Sequence, residues 1–439
     1  MKLRLSILMV LAAWCYSSAF AGEKLSLKSI TNGDFSSKTM KEVRPMADGE
    51  TYAQISDDGK RVEISSFRTG KQVSVLFDAT TARGAQIDRV DDYIISPDGS
   101  RMLIQTKTKA IYRHSFTATY YIYSIRNNKL EPLSDGGPQQ TPVFSPDGNQ
   151  IAFVRDNNIW LVKLLYDNAE SQVTTDGKFN EVINGIPDWV YEEEFSTNCS
   201  MVFSADSRQI VWIRYDESAV KQYSMQIFKG LNPERSEYAE YPGDYTYKYP
   251  VPGQVNSKVS VHSYDIQSHQ TRKINVPLDA DGYIPRIKAT SDPSKVAVMT
   301  MNRHQDVLRI YMANPLSTVC QLAVEDKTDK YIREEVLEDI QMTDNHILLP
   351  SERDGYNHLY LYNLNGQLLR QIVNDHFVVK SVYGFDEKTG DTYFAANPNG
   401  ATEQQVMVAH ANGKMEVLSQ KPGVNRAIFS RNFKYFINI

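Results

Sequence analysis

The feature that most constrains the fold of this chain is a short turn sequence that recurs along most of its length. Its best copies read Ser-Pro-Asp-Gly, and a short, mainly apolar run follows them. In such a turn, proline presets φ, aspartate hydrogen-bonds to its own backbone, and glycine accepts a positive φ. Eight copies or degraded copies occur, at 56–59, 96–99, 145–148, 204–207, 291–294, 343–345, 386–390 and 430–432.

The spacing of these turns predicts an all-β repeat fold. Most neighbouring copies lie roughly 40–60 residues apart, near the period of a four-stranded propeller blade. We therefore predict an eight-bladed β-propeller over residues 22–439. A tandem of β-sandwiches is the alternative, but sandwiches do not carry this repeated register of turn and strand. The chain stops inside the strand after the last turn, so we expect a truncated last blade.

The N-terminus has the pattern of a secretory signal peptide. Lys2 and Arg4 form a basic start, an apolar run follows, and Ala19-Phe20-Ala21 fits an A-x-A cleavage site. We therefore predict a signal peptide over residues 1–21 and export to the periplasm or the extracellular space. The apolar run is too short to span a bilayer comfortably, and no later segment approaches that length, so we expect no membrane span.

Composition and motifs argue against several classes of function. The net charge of −5, without a basic cluster, argues against a nucleic-acid partner. Beyond the signal peptide, Cys199 and Cys320 are the only cysteines, and two free thiols explain them better than a bridge or a metal site. No HExxH cluster or phosphate-binding glycine loop occurs, so we predict neither metal nor cofactor. A Gly-x-Ser-x-Gly nucleophile elbow is also missing, so we predict no catalytic residue in this chain.

One stretch, residues 185–195, interrupts the strand pattern and is therefore a candidate functional segment. Trp189 and Tyr191 precede three consecutive glutamates, and Pro187 and Asp188 suit the first turn of a helix. On a helical turn neighbouring side chains lie about 100° apart, so two acids can lean toward one point. We predict a short helical insert whose acids converge on a cation between aromatic walls. A solvated acidic turn is the alternative.

The sequence Asp-Trp-Val-Tyr-Glu-Glu-Glu-Phe at 188–195 resembles the glutamate motif of the dipeptidyl peptidase IV family of serine exopeptidases. The resemblance runs from about residue 25 to the end of the chain. It implies that Glu193 and Glu194 hold the free α-amine of a peptide substrate. The segment at 111–120 resembles the one whose arginine, here Arg113, binds the carbonyl of the substrate's second residue. A guanidinium suits that role because its donors are fixed and it stays protonated.

Three further segments bear on the resemblance. Residues 216–258 make one interval between turns too long, and the density of Pro, Gly and Tyr at 241–250 predicts a loop or hairpin extension rather than a blade strand. Residues 214–218, followed by 247–250, resemble an excursion from this blade in the family. In the family this excursion helps to wall the active site and mediates association, which implies a homodimer. The segment at 351–360 is also similar to the family, and we interpret His358 as a blade-edge histidine without chemistry. Residues 196–199 depart from the family pattern, which leaves the packing of the helical turn open.

The resemblance implies a function for a larger protein. In the family, a hydrolase domain with the catalytic Ser, Asp and His follows the propeller, and the enzyme releases N-terminal dipeptides, preferably with Pro or Ala second. We therefore predict that this chain is the substrate-recognition propeller of such an enzyme, lacks the hydrolase domain and is inactive alone. Two alternatives stay open: a stand-alone propeller that binds peptide or protein N-termini, and the propeller of a prolyl tripeptidyl peptidase.

Overall fold

The structure is a computed structural model that describes residues 25–36, 40–231 and 234–439. The predicted signal peptide at 1–21 lies outside the described residues. The chain divides into two units, residues 1–42 and 43–439. In the first unit, helix α1 (Leu27–Thr31) is capped by Ser26, whose hydroxyl accepts a hydrogen bond from the Ser29 N–H at 3.0 Å. The second unit contains every strand of the described residues.

The second unit is an all-β propeller, and seven of its sheets have four or five strands and form blades. Blade 1 contains β1–β4 (Arg44–Pro45, Thr51–Ile55, Arg61–Ser66, Gln72–Asp78), and blade 2 contains β5–β9 (Arg83–Gly84, Asp92–Ile95, Arg101–Ala110, Phe116–Ser124, Lys129–Pro132). Blade 3 contains β10–β13 (Gln140–Phe144, Gln150–Arg155, Asn158–Lys163, Ala169–Gln172). Blade 4 begins with β14–β16 (Val182–Asn184, Met201–Phe203, Gln209–Asp216).

A two-stranded hairpin, β17 (Gln222–Ile227) and β18 (Gly243–Lys248), follows β16; we call it the arm. Blade 4 then ends with β19 and β20 (Lys258–Asp265, Gln270–Lys273), and blade 5 contains β21–β24 (Tyr283–Ala289, Val296–Met301, Val307–Ala313, Cys320–Lys327). Blade 6 contains β25–β28 (Gln341–Met342, His346–Ser351, His358–Asn363, Leu368–Gln371), and blade 7 contains β29–β32 (Val379–Asp386, Asp391–Ala396, Gln405–Ala409, Met415–Val417). The remaining elements are α2 (Trp189–Phe195), a 3₁₀ turn (Ser236–Tyr238), α3 (Val336–Asp339), β33 (Ala427–Phe429) and β34 (Phe436–Asn438).

The predicted count of eight blades is wrong for the described residues, which form seven. The eighth turn signal, at 430–432, joins β33 to β34, and these strands form a sheet of two. This hairpin contacts β29 of blade 7, and Lys434 Nζ lies 2.7 Å from Glu50 Oε1 in the β1–β2 turn of blade 1. A turn signal marks the corner between two strands and does not show that further strands follow. Within the described residues, the eight turn signals therefore correspond to seven blades and one sheet of two strands.

The turn signals themselves form the strand corners that the sequence predicts. In five of them, a serine hydroxyl donates to the side chain two residues on and accepts the backbone N–H five residues on. At Ser145 the partners are the Asp147 carboxylate and, at 3.0 Å, the Gln150 N–H. The serine thus satisfies a backbone donor where the chain reverses direction. The five serines are Ser56, Ser96, Ser145, Ser204 and Ser430.

Blade 4 breaks the regular pattern because its innermost strand is in two pieces. Strands β14 and β15 both pair with β16, at opposite ends of that strand. Between the two pieces the chain leaves the sheet as an insert, residues 186–199, that contains α2. A hydrogen bond from the Ser200 N–H to the Gly185 carbonyl, 2.8 Å long, closes the base of the insert. Gly185 has φ +79°, a left-handed conformation that glycine adopts without strain.

The insert is anchored in a densely packed part of the propeller. Trp212, Tyr191 and Tyr215 are among the largest side chains below 2% exposure, and all three belong to blade 4 or its insert. The Trp212 indole N–H donates to Asn184 Oδ1 at 3.0 Å, so its polar atom is satisfied inside the core. The insert therefore stands on a rigid base.

Two smaller expectations concern cysteines and membrane spans. Cys199 and Cys320 are free thiols, which confirms the interpretation of the described cysteines. Among the described residues, no helix has the length and apolar character needed to cross a bilayer.

Close packing between neighbouring blades makes one turn glycine hard to replace. Gly366 (φ +87°) lies between β27 and β28, where an added Cβ would lie 1.9 Å from the carbonyl oxygen of Ala323 in blade 5. Gly413 (φ +85°) lies between β31 and β32 with open space around it. We expect Gly413→Ala to cost about 1–2 kcal/mol through left-handed strain alone. Gly366→Ala should cost at least about 1 kcal/mol more, because the neighbouring blade must also move.

The measurement is the free energy of unfolding from urea titration of both variants beside the unmodified protein. Equal losses of unfolding free energy in the two variants would show that the close contact between Gly366 and Ala323 does not matter for stability.

Candidate functional site

Helix α2 begins at a buried cap. The Asp188 carboxylate accepts the Tyr191 N–H at 2.9 Å and the hydroxyl of Ser257. Asp188 is 5% exposed, and this burial raises its pKa although both hydrogen bonds oppose the change. The predicted helical insert is therefore confirmed, but the helix begins at Trp189, so Pro187 precedes the cap and does not lie in the first turn. Tyr191 does not form a wall of the site, because it is buried in the core and its hydroxyl accepts the Ile284 N–H at 3.2 Å.

Arg286 of β21 holds the other end of α2. Its guanidinium donates to the Phe195 carbonyl and also, at 3.4 Å each, to the Ser196 carbonyl and Glu338 Oε1. Ser196 has φ 50° and ends the helix in the left-handed conformation. A cation at the end of a helix offsets the negative end of its dipole. The polar residues 196–199, whose packing the sequence left open, thus follow a well-capped helix end.

The first of the three glutamates has a structural role that sequence reasoning did not assign. Glu192 is 1% exposed, and its carboxylate accepts the N–H groups of His114 and Ser115 at 2.7 and 2.9 Å. It also accepts the Ser115 hydroxyl. These bonds tie α2 to the loop between β7 and β8, which carries Arg113. A buried carboxylate with three donors is well satisfied, so Glu192 sets the position of that loop.

The second glutamate contacts the predicted arginine directly. Arg113 Nε lies 3.0 Å from both carboxylate oxygens of Glu193, and Arg113 Nη2 lies 2.8 Å from Oε1. The side chains are 69% and 27% exposed. The Glu193 carboxylate, through its hydrogen bond and its charge, raises the pKa of Arg113. An ion pair this exposed stabilises the fold little, because water screens it, so its geometry matters more for binding than for stability.

The third glutamate is open to solvent. Glu194 is exposed and has no hydrogen bond or ion pair to any residue that the structure describes. Three neighbouring acids of α2 therefore have three environments: Glu192 is buried, Glu193 is paired and Glu194 is free. Of the three predicted binding residues, the structure brings Arg113 and Glu193 into contact, and Glu194 follows Glu193 on helix α2.

Aromatic side chains of the arm stand beside the helix. The ring of Trp189 lies 4.5 Å from Tyr249 and 6.0 Å from Tyr247, measured between centroids. Tyr247 also lies 6.0 Å from Tyr112, which precedes Arg113. The loop or hairpin extension predicted within residues 216–258 is therefore a hairpin that packs on the insert. Sequence reasoning noted the tyrosines of this segment but did not pair them with Trp189.

His358, which sequence reasoning set aside, is a buried structural residue. Its Nδ1 lies 2.7 Å from Asp354 Oδ2 and its Nε2 lies 2.9 Å from the Asp375 carbonyl, with 2% of the residue exposed. Within the described ranges, no group of three or more His, Cys, Asp or Glu side chains has the arrangement of a metal site.

The fold and this site together define a β-propeller with one acidic helical insert held against an arginine-bearing loop. Residues 96–439 match the family described as the dipeptidyl peptidase IV (DPP IV) N-terminal region, and the chain belongs to that family. The family resemblance inferred from the glutamate motif is thereby confirmed. The roles of Arg113, Glu193 and Glu194 in binding stay predictions.

Individual relatives agree with this assignment. Dipeptidyl peptidase 4 of Porphyromonas gingivalis has a TM-score of 0.90 and 37% identity, over 95% of this chain and 58% of that one. A putative dipeptidyl aminopeptidase IV from Bacteroides ovatus has a TM-score of 0.68 at 18% identity, over 95% of this chain and 59% of that one, a likeness of fold alone. Probable dipeptidyl-aminopeptidase B of Aspergillus terreus is 29% identical over 379 residues, which are 77% of this chain and 40% of the relative. The chain thus spans well under two thirds of the length of these relatives.

The environments of the glutamates predict opposite effects of the same substitution. Glu192→Ala leaves the His114 and Ser115 N–H groups without their acceptor, and we expect a loss of about 2–5 kcal/mol in unfolding free energy. Glu194→Ala on the same helix should change it by no more than about 0.5 kcal/mol, because an exposed side chain without partners is removed. Urea unfolding of both variants gives the comparison. A Glu192→Ala protein as stable as Glu194→Ala would show that the three bonds contribute nothing.

Proposed function

We propose that this chain is the substrate-recognition propeller of a serine exopeptidase that removes dipeptides from peptide N-termini. The complete enzyme would prefer Pro or Ala as the second residue and would carry its Ser, Asp and His in a hydrolase domain outside this chain. The single observation that supports the proposal best is the contact between Arg113 and Glu193 with the unpaired Glu194 beside it. Family membership and the dipeptidyl names of the relatives support it further.

In the proposed mechanism, acidic side chains bind the substrate's ammonium group and an arginine binds its second carbonyl group. The α-ammonium group binds between Glu193 and Glu194 and so neutralises two neighbouring carboxylates. Arg113 uses Nε and Nη2 on Glu193, and its Nη1 has no partner among the described residues, so it can donate to the carbonyl of the second substrate residue. The distance between the ammonium contact and the carbonyl contact sets how far the substrate peptide enters the site. The peptide bond after the second substrate residue would then lie at the catalytic serine.

Such a site distinguishes free from blocked N-termini. A charge-assisted hydrogen bond contributes about 1.5–3 kcal/mol when it is shielded from water. An acetylated N-terminus has no charge and leaves both acids without a partner. The aromatic side chains around Trp189 and a covering hydrolase domain would supply the shielding that the exposed Arg113 and Glu193 lack here.

Two further proposals concern the assembly and its location. We propose that the arm, which exposes 45% of Tyr223, 60% of Phe228 and 95% of Leu231, contributes to a homodimer. We also propose export directed by residues 1–21, which would place the enzyme in the periplasm or outside the cell.

Substitution of the acids in the complete enzyme tests the binding roles. We expect Glu193→Gln and Glu194→Gln each to raise the KM for a Gly-Pro-chromogen at least about tenfold, because each removes a charge from the ammonium site. Glu416→Gln, an exposed acid in blade 7, is the matched control and should leave KM unchanged. Steady-state kinetics measure both. Unchanged KM in the first two variants would remove these acids from the site.

The activity of this chain by itself tests whether substrate binding and hydrolysis belong to separate domains. The 439-residue chain should not hydrolyse a Gly-Pro-chromogen, since the proposed catalytic triad lies outside it. Turnover by the purified chain would refute the proposal.

For the complete enzyme, mass spectrometry of products from a peptide with proline at positions two and three distinguishes release of dipeptides from release of tripeptides. A complete gene product without hydrolase activity that binds free N-termini would instead establish a stand-alone binding propeller.

A further inference from the structure

A cavity lies beside the loop that carries Arg113, and Tyr112 and Ser115 of that loop line it. A cavity of about 490 Å³ opens between blade 3, the insert and the arm, and Tyr112, Phe179, Trp189, Asp188, Glu217 and Lys248 are among the residues that line it. Neither Arg113 nor Glu193 nor Glu194 lines it. Its volume is in the range of sites that enclose small organic molecules. We call it the arm cavity.

The arm cavity contains a buried acid without a partner. Glu217, the residue after β16, is 6% exposed, and its carboxylate has no hydrogen bond or ion pair to the described residues. Its backbone is well fixed, because its N–H donates to the Glu181 carbonyl at 2.8 Å. A buried ionised group without donors is costly, so such a carboxylate is stable only with a ligand, with water or in the protonated form.

Of the other charged groups of the wall, Asp156 is exposed and its carboxylate has no hydrogen bond or ion pair to the described residues, and the rest are already engaged. Lys248 Nζ donates to the carbonyl of Val220 at 2.7 Å. Arg155 lies 2.7 Å from Glu170 and its guanidinium covers the ring of Trp160. Lys178 pairs with Glu181, and Asp188 is satisfied as the cap of α2. Glu217 is therefore the acid in this wall that is buried and lacks a donor.

We propose that the arm cavity is a binding site for a small organic cation, an ammonium or guanidinium group on an apolar body, with Glu217 as its acceptor. The ammonium would donate to the Glu217 carboxylate, and the rings of Trp189 and Tyr112 would cover the apolar body and attract the charge. A bare metal ion fits poorly, because no cluster of three ligating side chains occurs in the described part of the chain. The site has a different acid from the ammonium site proposed above, although Trp189 borders both, and it does not rest on that proposal.

The ionisation of Glu217 gives the site a dependence on pH. Burial, followed by the charge of Asp188, raises the pKa of Glu217 to about 7, while Lys248 opposes the change and Asp216 adds to it. With this pKa the carboxylate is about one tenth ionised at pH 6 and about nine tenths ionised at pH 8. The other charged residues that line the cavity are Arg155, Asp156 and Lys178. A cation that needs the ionised acid therefore binds more tightly as the pH rises.

Isothermal titration of the purified protein with benzylammonium chloride tests the proposal. At pH 8 we expect binding at least tenfold tighter than that of benzyl alcohol, which has the same body without the charge. Glu217→Gln should weaken benzylammonium binding at least tenfold, whereas the control Glu416→Gln should not change it. In the unmodified protein, affinity should fall about tenfold from pH 8 to pH 6, and this dependence also tests the site if the Gln variant is unstable.

Repeating the titration in Glu194→Gln separates this site from the proposed ammonium site. Binding that persists in Glu194→Gln and disappears in Glu217→Gln supports the arm cavity, whatever the fate of the proposed exopeptidase function. Binding that disappears in Glu194→Gln and persists in Glu217→Gln overturns it, because the cation then occupies the exposed acids. No measurable binding at millimolar benzylammonium also overturns it and leaves ordered water as the occupant of the cavity.

Discussion

The candidate site depends on one interruption of a β-strand. The inner strand of blade 4 is split, and the insert that leaves it is closed at Gly185 and Ser200 and held at its tip by the buried carboxylate of Glu192. A strand cannot direct adjacent side chains to one side, because its side chains alternate. The interruption replaces that alternation with a helical turn, and the surrounding sheet supplies a rigid frame for it.

The same geometry explains why three identical residues have different roles. On a helix, neighbouring side chains diverge by about 100°, so three consecutive acids cannot share one environment. Glu192 faces the propeller and holds the arginine loop, Glu193 faces Arg113, and Glu194 faces solvent. The buried carboxylate of Glu192 holds the loop that carries Arg113. It thereby determines where Arg113 lies relative to Glu193 and Glu194. This is the arrangement expected of a binding site whose charged groups are held by a second, buried set of contacts.

Sequence reasoning succeeded where the signal is local and repeated. The turns, the all-β character and the helical insert were predicted from motifs, and the family resemblance implied that Arg113 and the acidic helix bind the same peptide end. The direct contact between Arg113 and Glu193 was not predicted. The number of blades was not, because the turn at 430–432 leads to a hairpin and a turn motif carries no information on the strands that follow. The structural role of Glu192 was also missed, because its donors in His114 and Ser115 lie almost 80 residues away in the chain.

The sequence by itself determined the local conformations of this protein, because turn chemistry, helix capping and strand patterning act over a few neighbouring residues. It also determined the family, through a motif long enough to be specific. Only the tertiary structure decided which acid is buried, which is paired and which is free, since those states depend on donors from other blades. It alone placed Glu217 without a partner beside a cavity, because burial and the absence of a donor are properties of the assembled propeller.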